Sequence, residues 1–321
     1  MWVSHSDDGA GASDPRVSLI PAAIWPDGST RPIWPDLEDY PRFVGTARGK
    51  TYHPLPGQKE TEPIGFIPQV SRTHGYYESN YALQNDCGLS FGESTASAVF
   101  RADMTGTKGT DGAALLSVNE LTKLAAERTC SAREAVKLMG SMAERHGFYG
   151  PDGGAGEVLT VGDGEAAWVF HILSDPSGTS ALWVAQRVPD TEVHPNSNPN
   201  PNPNPNPNPN PNPNPDPNPD PNPDPNPNPS PSPHPDSNQV AVVANMFTIR
   251  AIDLSDSANF LGSASLHATA RAYQLWDGKG ALDFTRAFSL GEYASKFYSG
   301  RRMCTRGVEK SRHGRATGSR R

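Results

Sequence analysis

Few side chains in this sequence of 321 residues have the type and spacing that nucleophilic or metal chemistry requires. The three cysteines, Cys87, Cys130 and Cys304, are an odd, sparse set without a CxxC pair. Such a set predicts neither a disulfide framework nor a zinc site, and we expect no metal and no organic cofactor. Cys87 falls in a turn without a histidine at a recognisable spacing, and we interpret Cys130 as a small buried residue between two helices.

Two groups of polar side chains are better candidates for chemistry. The segment SHSDDG brings together His5, Asp7 and Asp8 near the start of the chain. The second group is Asn245, in the apolar run of residues 240–250, which predicts a buried strand. A buried amide must find hydrogen-bond partners or lose about 1–3 kcal/mol. The structural alternatives are an Asx-turn with solvated carboxylates for the first group and a strand-terminating turn for Asn245.

The stretch of residues 85–100, NDCGLSFGESTASAVF, organises the elements that would position these groups. Its first four residues have turn composition, and the small and apolar residues after them predict a close-packed strand. Residues 76–83 predict a strand that leads into this turn. Capping boxes at residues 117–120 and 131–134 predict two helices. A strand meander is predicted from three alternating segments, at residues 157–161, 167–173 and 181–188.

A low-complexity tract interrupts this pattern. At residues 199–235 every odd-numbered residue is proline, and the tract holds 19 of the 33 prolines. Proline at alternate positions removes half of the backbone donors, so neither a helix nor a sheet ladder can form there. We interpret residues 194–238 as a disordered Asn/Asp-Pro insertion at a hairpin tip, where loop-closure entropy grows only slowly with length.

The charge distribution does not suggest a nucleic-acid partner. The net charge is −7, although residues 301–321 hold eight Lys or Arg and one acidic residue. The remainder is acidic, and we interpret the basic tail as solvated disorder. No run approaches 18 apolar residues, and residues 1–8 are too polar for a signal peptide, so we expect no membrane span. The sequence predicts no particular compartment or oligomeric state.

Several separated motifs resemble one known family. NDCGLSFGEST, at residues 85–95, is similar to the signature N-(E/D)-x-x-L-x-(I/F)-G-E-S-T of the C69 dipeptidases, a branch of the N-terminal-nucleophile (Ntn) hydrolases that includes secernins. The motifs SHSDDG, EDYPRFVG, EPIGFIPQV and ANMFTIR also resemble sequences of that family. Apart from the repeat, the resemblance covers most of residues 1–302.

The resemblance implies an α+β fold, the four-layer αββα Ntn sandwich with two antiparallel sheets. It implies a peptidase domain in two parts, residues 1–193 and 239–302, separated by the insertion at 194–238 and followed by a disordered basic tail at 303–321. The implied activity is the hydrolysis of dipeptides by an N-terminal cysteine, with the small peptide as the partner. Because that cysteine and later family elements are not found here, we expect a chain that is truncated at both ends, an incomplete fold and no activity for residues 1–321 alone.

The resemblance also assigns catalytic roles. Asp8, with Asp7 as the nearest alternative, would hold the α-amino group of the nucleophile, and Asn245 would donate its amide to the oxyanion. Asn85 would be a further oxyanion candidate, or would instead hold its own turn.

Three further residues are implied near the substrate. His5 would take an Arg-like position beside the nucleophile, Tyr81 would line the pocket, and Arg271 would be a cationic partner. Two other functions remain open at this point: a related Ntn amidase that acts on penicillin-like or bile-salt-like amides, and a non-enzymatic protein whose repeat binds a partner.

Overall fold

The computed structural model describes residues 17–36, 59–109, 111–150, 155–189 and 245–290, together with residues 3, 57 and 243. The predicted repeat insertion and basic tail lie outside these ranges. The described strands are β1 (Ser18–Ile20), β2 (Ala23–Ile24), β3 (Thr30–Ile33), β4 (Gly65–Pro68), β5 (Arg72–Thr73), β6 (Tyr76–Glu78), β7 (Ala82–Asn85), β8 (Ser90–Ser97), β9 (Ala155–Gly162), β10 (Ala167–Ser174), β11 (Ala181–Arg187), β12 (Ala251–Ile252), β13 (Phe260–Gly262) and β14 (Leu282–Asp283). The described helices are α1 (Val118–Arg128), α2 (Ala132–His146), α3 (Leu266–Ala272) and α4 (Phe284–Phe288).

One antiparallel sheet organises these elements into an α+β fold. Its strand order is β1-β6-β7-β8-β9-β10-β11-β13. The centre is the most regular part, because β8 pairs with β9 along its whole length and β10 pairs with both β9 and β11. The predicted turn before β8, the strand β8 and the meander of β9 to β11 are confirmed.

The prediction of one continuous strand over residues 76–83 is wrong. The chain instead folds back between β6 and β7, which pair as a hairpin. At the tip, the N–H of Ser79 donates to the carbonyl of Tyr81 at 3.1 Å. Ser79 and Asn80 favour turns because their short polar side chains compete for backbone hydrogen bonds. That preference outweighs the aromatic residues that suggested a strand.

Helices α1 and α2 cover one face of the sheet, which we call the helical face. Its core contains Phe91, Leu159, Phe170 and Trp183 from the central strands. The two helices begin immediately after the serines that were predicted as N-caps. Helix α2 approaches the sheet closely at Gly140, where a β-carbon would lie 2.1 Å from the Trp183 ring.

A buried ionic cluster ties β3 to α1 on this face. Arg31 donates to the Glu127 carboxylate from Nε at 2.8 Å and from Nη2 at 3.0 Å, and it donates to Glu120 from Nη1. The hydroxyl of Tyr76 donates to Glu127 at 3.1 Å. Glu120 was expected to serve the N-cap of α1, but Ser117 makes no side-chain capping bond. The competing cation explains this difference, because a buried carboxylate is stabilised more by a guanidinium than by a backbone amide.

Residues 245–290 cover the opposite face. A second apolar cluster there joins Val158 and Val169 of the sheet to Phe247, Ile249 and Phe284 of this segment. Strands β12 and β14 pair with each other within this layer. Among helices in the described part of the chain, none combines the length and apolar composition needed to cross a bilayer.

The strand predicted for residues 240–250 is absent over residues 245–250. These residues cross the strands of the sheet instead of pairing alongside them. Asn245 contacts β8, Phe247 lies against Gly156 of β9, and Thr248 reaches His171 of β10. An apolar run predicts burial on this face, but it cannot distinguish a crossing segment from a paired strand.

Candidate active site

Asn245 is anchored on the middle of β8. Its backbone N–H donates to Ser94 Oγ at 2.6 Å, and its side-chain amide donates to the carbonyl of Thr95 at 3.1 Å. Its φ of 48° is a left-handed conformation, which Asn tolerates better than most residues. A residue held in this region by surrounding contacts is a candidate for function. The side chain is only partly buried, so this amide lies where the apolar layer opens.

The sequence positions Asn245 through its neighbours on both sides of the layer. Ser94 belongs to the register positions of β8 that face the second layer, because it pairs with the buried Val158. Two residues after Asn245, the ring of Phe247 fills the space above Gly156, where a β-carbon would lie 2.6 Å from the ring. The glycine thus permits the close approach that fixes the segment over β8.

Asn85 is fully engaged in holding its own turn. Its Nδ2 donates to the carbonyls of Ala126 and Thr129 at 3.0 and 2.8 Å, and its Oδ1 accepts from the N–H groups of Cys87 and Leu89 at 3.1 and 3.0 Å. Both amide hydrogens are therefore used, and no donor remains for an oxyanion. The alternative that Asn85 holds the turn fits this geometry.

The structure does not bring Asn85 and Asn245 together. Asn85 contacts Leu89 just before β8, whereas Asn245 contacts Ser94 five residues further along the strand. At about 3.3 Å per residue, the two contacts are on the order of 15 Å apart.

The remaining sequence-predicted residues are dispersed or outside the described part. Tyr81 lies at the tip of the β6–β7 hairpin and is 5% exposed. Arg271 is exposed near the end of α3, where its guanidinium lies over the Trp276 ring, 5.2 Å from the centroid. Asp8 and His5 lie outside the described residues, so their placement beside a nucleophile stays a prediction.

Glu157 is a buried acid that the sequence analysis missed. It lies on the helical face of β9, opposite Thr95, which in turn donates from Oγ1 to Glu93 at 3.3 Å. Burial, and after it the nearby Glu93 carboxylate, raises the pKa of Glu157 well above its ordinary value. Both causes favour the protonated, neutral form of the side chain. The sequence feature that could have identified Glu157 is its position as an acidic residue at the start of a strand of alternating apolar residues.

His171 is a second titratable group that the sequence did not single out. It is fully buried on β10, between the rings of Phe247 and Phe284 at centroid distances of 5.1 and 5.5 Å. Its Nε2 accepts from the backbone N–H of Thr248 at 3.3 Å. Burial lowers the pKa of His171 to about 3, so the ring is neutral at pH 7 and serves the core.

Two of the three cysteines offer no free thiol. Cys87 and Cys130, 43 residues apart, form a disulfide with a Cα–Cα distance of 5.3 Å. The expectation that the set contains no disulfide is therefore wrong, as is the interpretation of Cys130 as buried, because it is exposed. Although no histidine stands at a recognisable spacing from Cys87 in the sequence, His74 Nδ1 lies 3.6 Å from its sulfur. Tertiary folding, not sequence spacing, brings these residues together.

Comparison with known families is consistent with this architecture. Residues 54–202 match the model of peptidase family C69, a span that contains β4 to β11 and both helices of the helical face. Tyr81 and Asn85 fall inside the match, whereas Asn245 and Arg271 follow it. No curated protein matches the sequence by similarity. Over residues 54–202, a little under half of its length, this chain is therefore similar to peptidase family C69.

Proposed function

We propose that the chain is the body of a cysteine-type dipeptidase, an enzyme that hydrolyses the peptide bond of dipeptides. The family match over residues 54–202 carries this proposal, because it spans the sheet and helices on which a site would be built. The anchored amide of Asn245 supports it independently. Peptide hydrolysis needs a donor for the developing oxyanion, and a residue whose backbone is held by Ser94 and whose amide is held by Thr95 is preorganised for that role.

The proposed mechanism is covalent. A cysteine thiolate adds to the peptide carbonyl, and the α-amino group of the same residue takes the thiol proton and returns it to the leaving amine. Asp8 would orient that amine, and Asn245 would donate to the oxyanion. Water then attacks the thioester and releases the second product. His5, Tyr81 and Arg271 would contact the substrate.

Neither Cys87 nor Cys130 is the nucleophile in this proposal. The disulfide removes Cys87 and Cys130 from consideration, because a disulfide sulfur has no thiolate to offer. Cys304 lies in the basic tail, outside the segments that resemble the family.

The four-layer sandwich is part of the same proposal. The helical face supplies one helical layer and one sheet. The layer of residues 245–290, with its β12–β14 pair and α3 and α4 on the opposite face, would be the start of the second half. We also propose the domain division at residues 193, 238 and 302, with the Asn/Asp-Pro repeat as an insertion outside the peptidase domain.

The test uses the protein translated from the experimentally determined transcript start. Dipeptides and acyl amides of the penicillin and bile-salt types are assayed in parallel. We expect dipeptide hydrolysis that a thiol alkylator abolishes, and about a 10²–10³-fold lower kcat for Asn245→Ala. The matched control is Asn259→Ala, in which an asparagine bonded to Asp256 is lost from the same layer and kcat should not change.

Three outcomes would contradict the proposal. Preferential cleavage of the acyl amides would favour the related amidase. Dipeptide hydrolysis by residues 1–321 alone that survives Cys87→Ala would contradict the expectation that these residues are inactive by themselves. Hydrolysis of neither substrate class, together with loss of a binding partner on deletion of residues 195–237, would favour the non-enzymatic alternative.

A further inference from the structure

Three separate segments meet where β7 turns towards β8. His74 lies between β5 and β6, Cys87 lies in the turn after β7, and Cys130 lies between α1 and α2. The sulfur of Cys130 is 3.3 Å from Nε2 of His74, and the sulfur of Cys87 is 3.6 Å from Nδ1 of the same ring. The atoms that could act as ligands all lie within 4.8 Å of one another.

Asp86 orients the imidazole. Its Oδ1 is 2.9 Å from His74 Nδ1, and its Oδ2 accepts from the N–H of Gly75 at 3.0 Å. An ionised carboxylate can only accept, so Nδ1 carries the proton and Nε2 keeps its lone pair on the side of Cys130. Histidines that bind metals are commonly held in this way, with the second ring nitrogen donating to a carboxylate.

We propose that His74, Cys87 and Cys130 form a zinc site that opens when the Cys87–Cys130 disulfide is reduced. Tetrahedral zinc with Zn–S of about 2.3 Å and Zn–N of about 2.0–2.1 Å places sulfur and nitrogen about 3.6 Å apart. The distance of 3.3 Å between the Cys130 sulfur and His74 Nε2, the nitrogen that would bind zinc, is close to this value. The Cys87 sulfur lies on the same side of the cluster, within 4.8 Å of the other ligand atoms. Two thiolates and one imidazole leave the fourth position to water, as in other zinc sites with three protein ligands.

The chemistry needs a dithiol reductant. Thiol–disulfide exchange transfers two electrons and two protons from the dithiol, which becomes a disulfide, to Cys87 and Cys130, which become thiols. Zinc binding then displaces one proton from each thiol, while His74 binds as the neutral imidazole without losing a proton. In the reverse exchange a disulfide oxidant accepts two electrons from the two thiolates and is itself cleaved to two thiolates, the Cys87–Cys130 disulfide forms again, and zinc loses two of its three protein ligands.

The cysteine–histidine cluster lies where it can link the turn before β8 to the end of α1. The disulfide and the Asn85 amide tie the same two regions together, the turn before β8 and the end of α1. In a reducing environment a zinc ion would keep these two regions linked through its bonds to Cys87 and Cys130. Its bond to His74 would link the segment between β5 and β6 to them as well. The turn that carries Asn85 and Cys87 would therefore be cross-linked under both conditions.

The experiment titrates the full chain with Zn²⁺ alone, and separately with Co²⁺ as a spectroscopic probe. A reduced sample and an oxidised sample are compared, and alkylation of thiols is measured by mass spectrometry. We expect one ion per reduced chain, a thiolate-to-cobalt charge-transfer band, and protection of Cys87 and Cys130 from alkylation. The oxidised chain should bind no ion at this position.

Substitutions distinguish zinc binding at this site from zinc binding elsewhere on the chain. Asp86→Asn, an exposed change outside the ligand set, should weaken Zn²⁺ binding by about 10–100-fold. His74→Ala should weaken it at least as much, whereas Cys304→Ser is the matched control and should have no effect. The proposal is overturned if the reduced chain binds no zinc, if the oxidised chain binds it equally, or if Asp86→Asn and His74→Ala both bind as the wild type does. Circular dichroism of each variant ensures that folded proteins are compared.

Discussion

His171 should make the stability of this fold fall between pH 7.5 and pH 5. The folded pKa of about 3 lies below the ordinary value of about 6.5, because burial disfavours the charged ring. Protonation would also remove the lone pair that accepts from the N–H of Thr248. The unfolded chain therefore takes up a proton first as the pH falls, and the folded state loses stability from about pH 6.5 down to about pH 3.

The size of the effect follows from these two pKa values. At pH 5 the unfolded state gains about 2 kcal/mol over the folded state from this one group, and the limit below pH 3 is about 5 kcal/mol. The first figure is large enough to measure against a typical stability of about 5–15 kcal/mol. This loss of stability also occurs above the pH range in which most carboxylates titrate.

The assay is urea unfolding of the wild type and of His171→Phe at pH 7.5 and pH 5. The variant should be less stable at pH 7.5 by about 1–3 kcal/mol, because the Thr248 N–H loses its acceptor inside the core. Its further loss on going to pH 5 should be about 2 kcal/mol smaller than that of the wild type. The control is His267→Gln, which removes a partly buried histidine on α3 and so tests whether the loss of any imidazole has the same effect. Equal losses for the wild type and His171→Phe would refute the reasoning.

Three further substitutions test the packing that positions the candidate site, each by the free energy of unfolding. Gly140→Ala should destabilise the protein by up to about 2 kcal/mol, because overpacking against Trp183 costs about 1–3 kcal/mol and the helix-propensity gain offsets about 1 kcal/mol of it. Its control is Gly164→Ala, in open space, and equal effects for the two would contradict the argument. Arg31→Met should cost about 3–5 kcal/mol, because it leaves two buried carboxylates on α1 without their guanidinium; a neutral result would show that these carboxylates take up protons without penalty. Asn85→Ala should cost about 3 kcal/mol through its four hydrogen bonds, and an unchanged midpoint would remove its turn-holding role.

Local patterns along the chain predicted the elements well wherever neighbours in sequence decide the conformation. The serine N-caps of α1 and α2, the turn at Asn85 and the meander of β9 to β11 all depend on residues within a few positions of each other. The same holds for the resemblance to the C69 family, whose motifs are short and contiguous. These features require no knowledge of which distant residues come into contact.

Contacts between distant segments decided the rest. The disulfide joins residues 43 positions apart, and the Arg31 cluster joins residues 89 and 96 positions apart. Asn245 bonds to residues of β8 that lie about 150 positions earlier in the sequence. No periodicity encodes such pairings, because they arise when separate elements pack on one sheet and their polar groups are forced to find partners out of water. Similarity to a peptidase family could therefore be inferred from the sequence alone, whereas the buried Glu157, the neutral His171 and the cysteine–histidine cluster became visible only in the folded molecule.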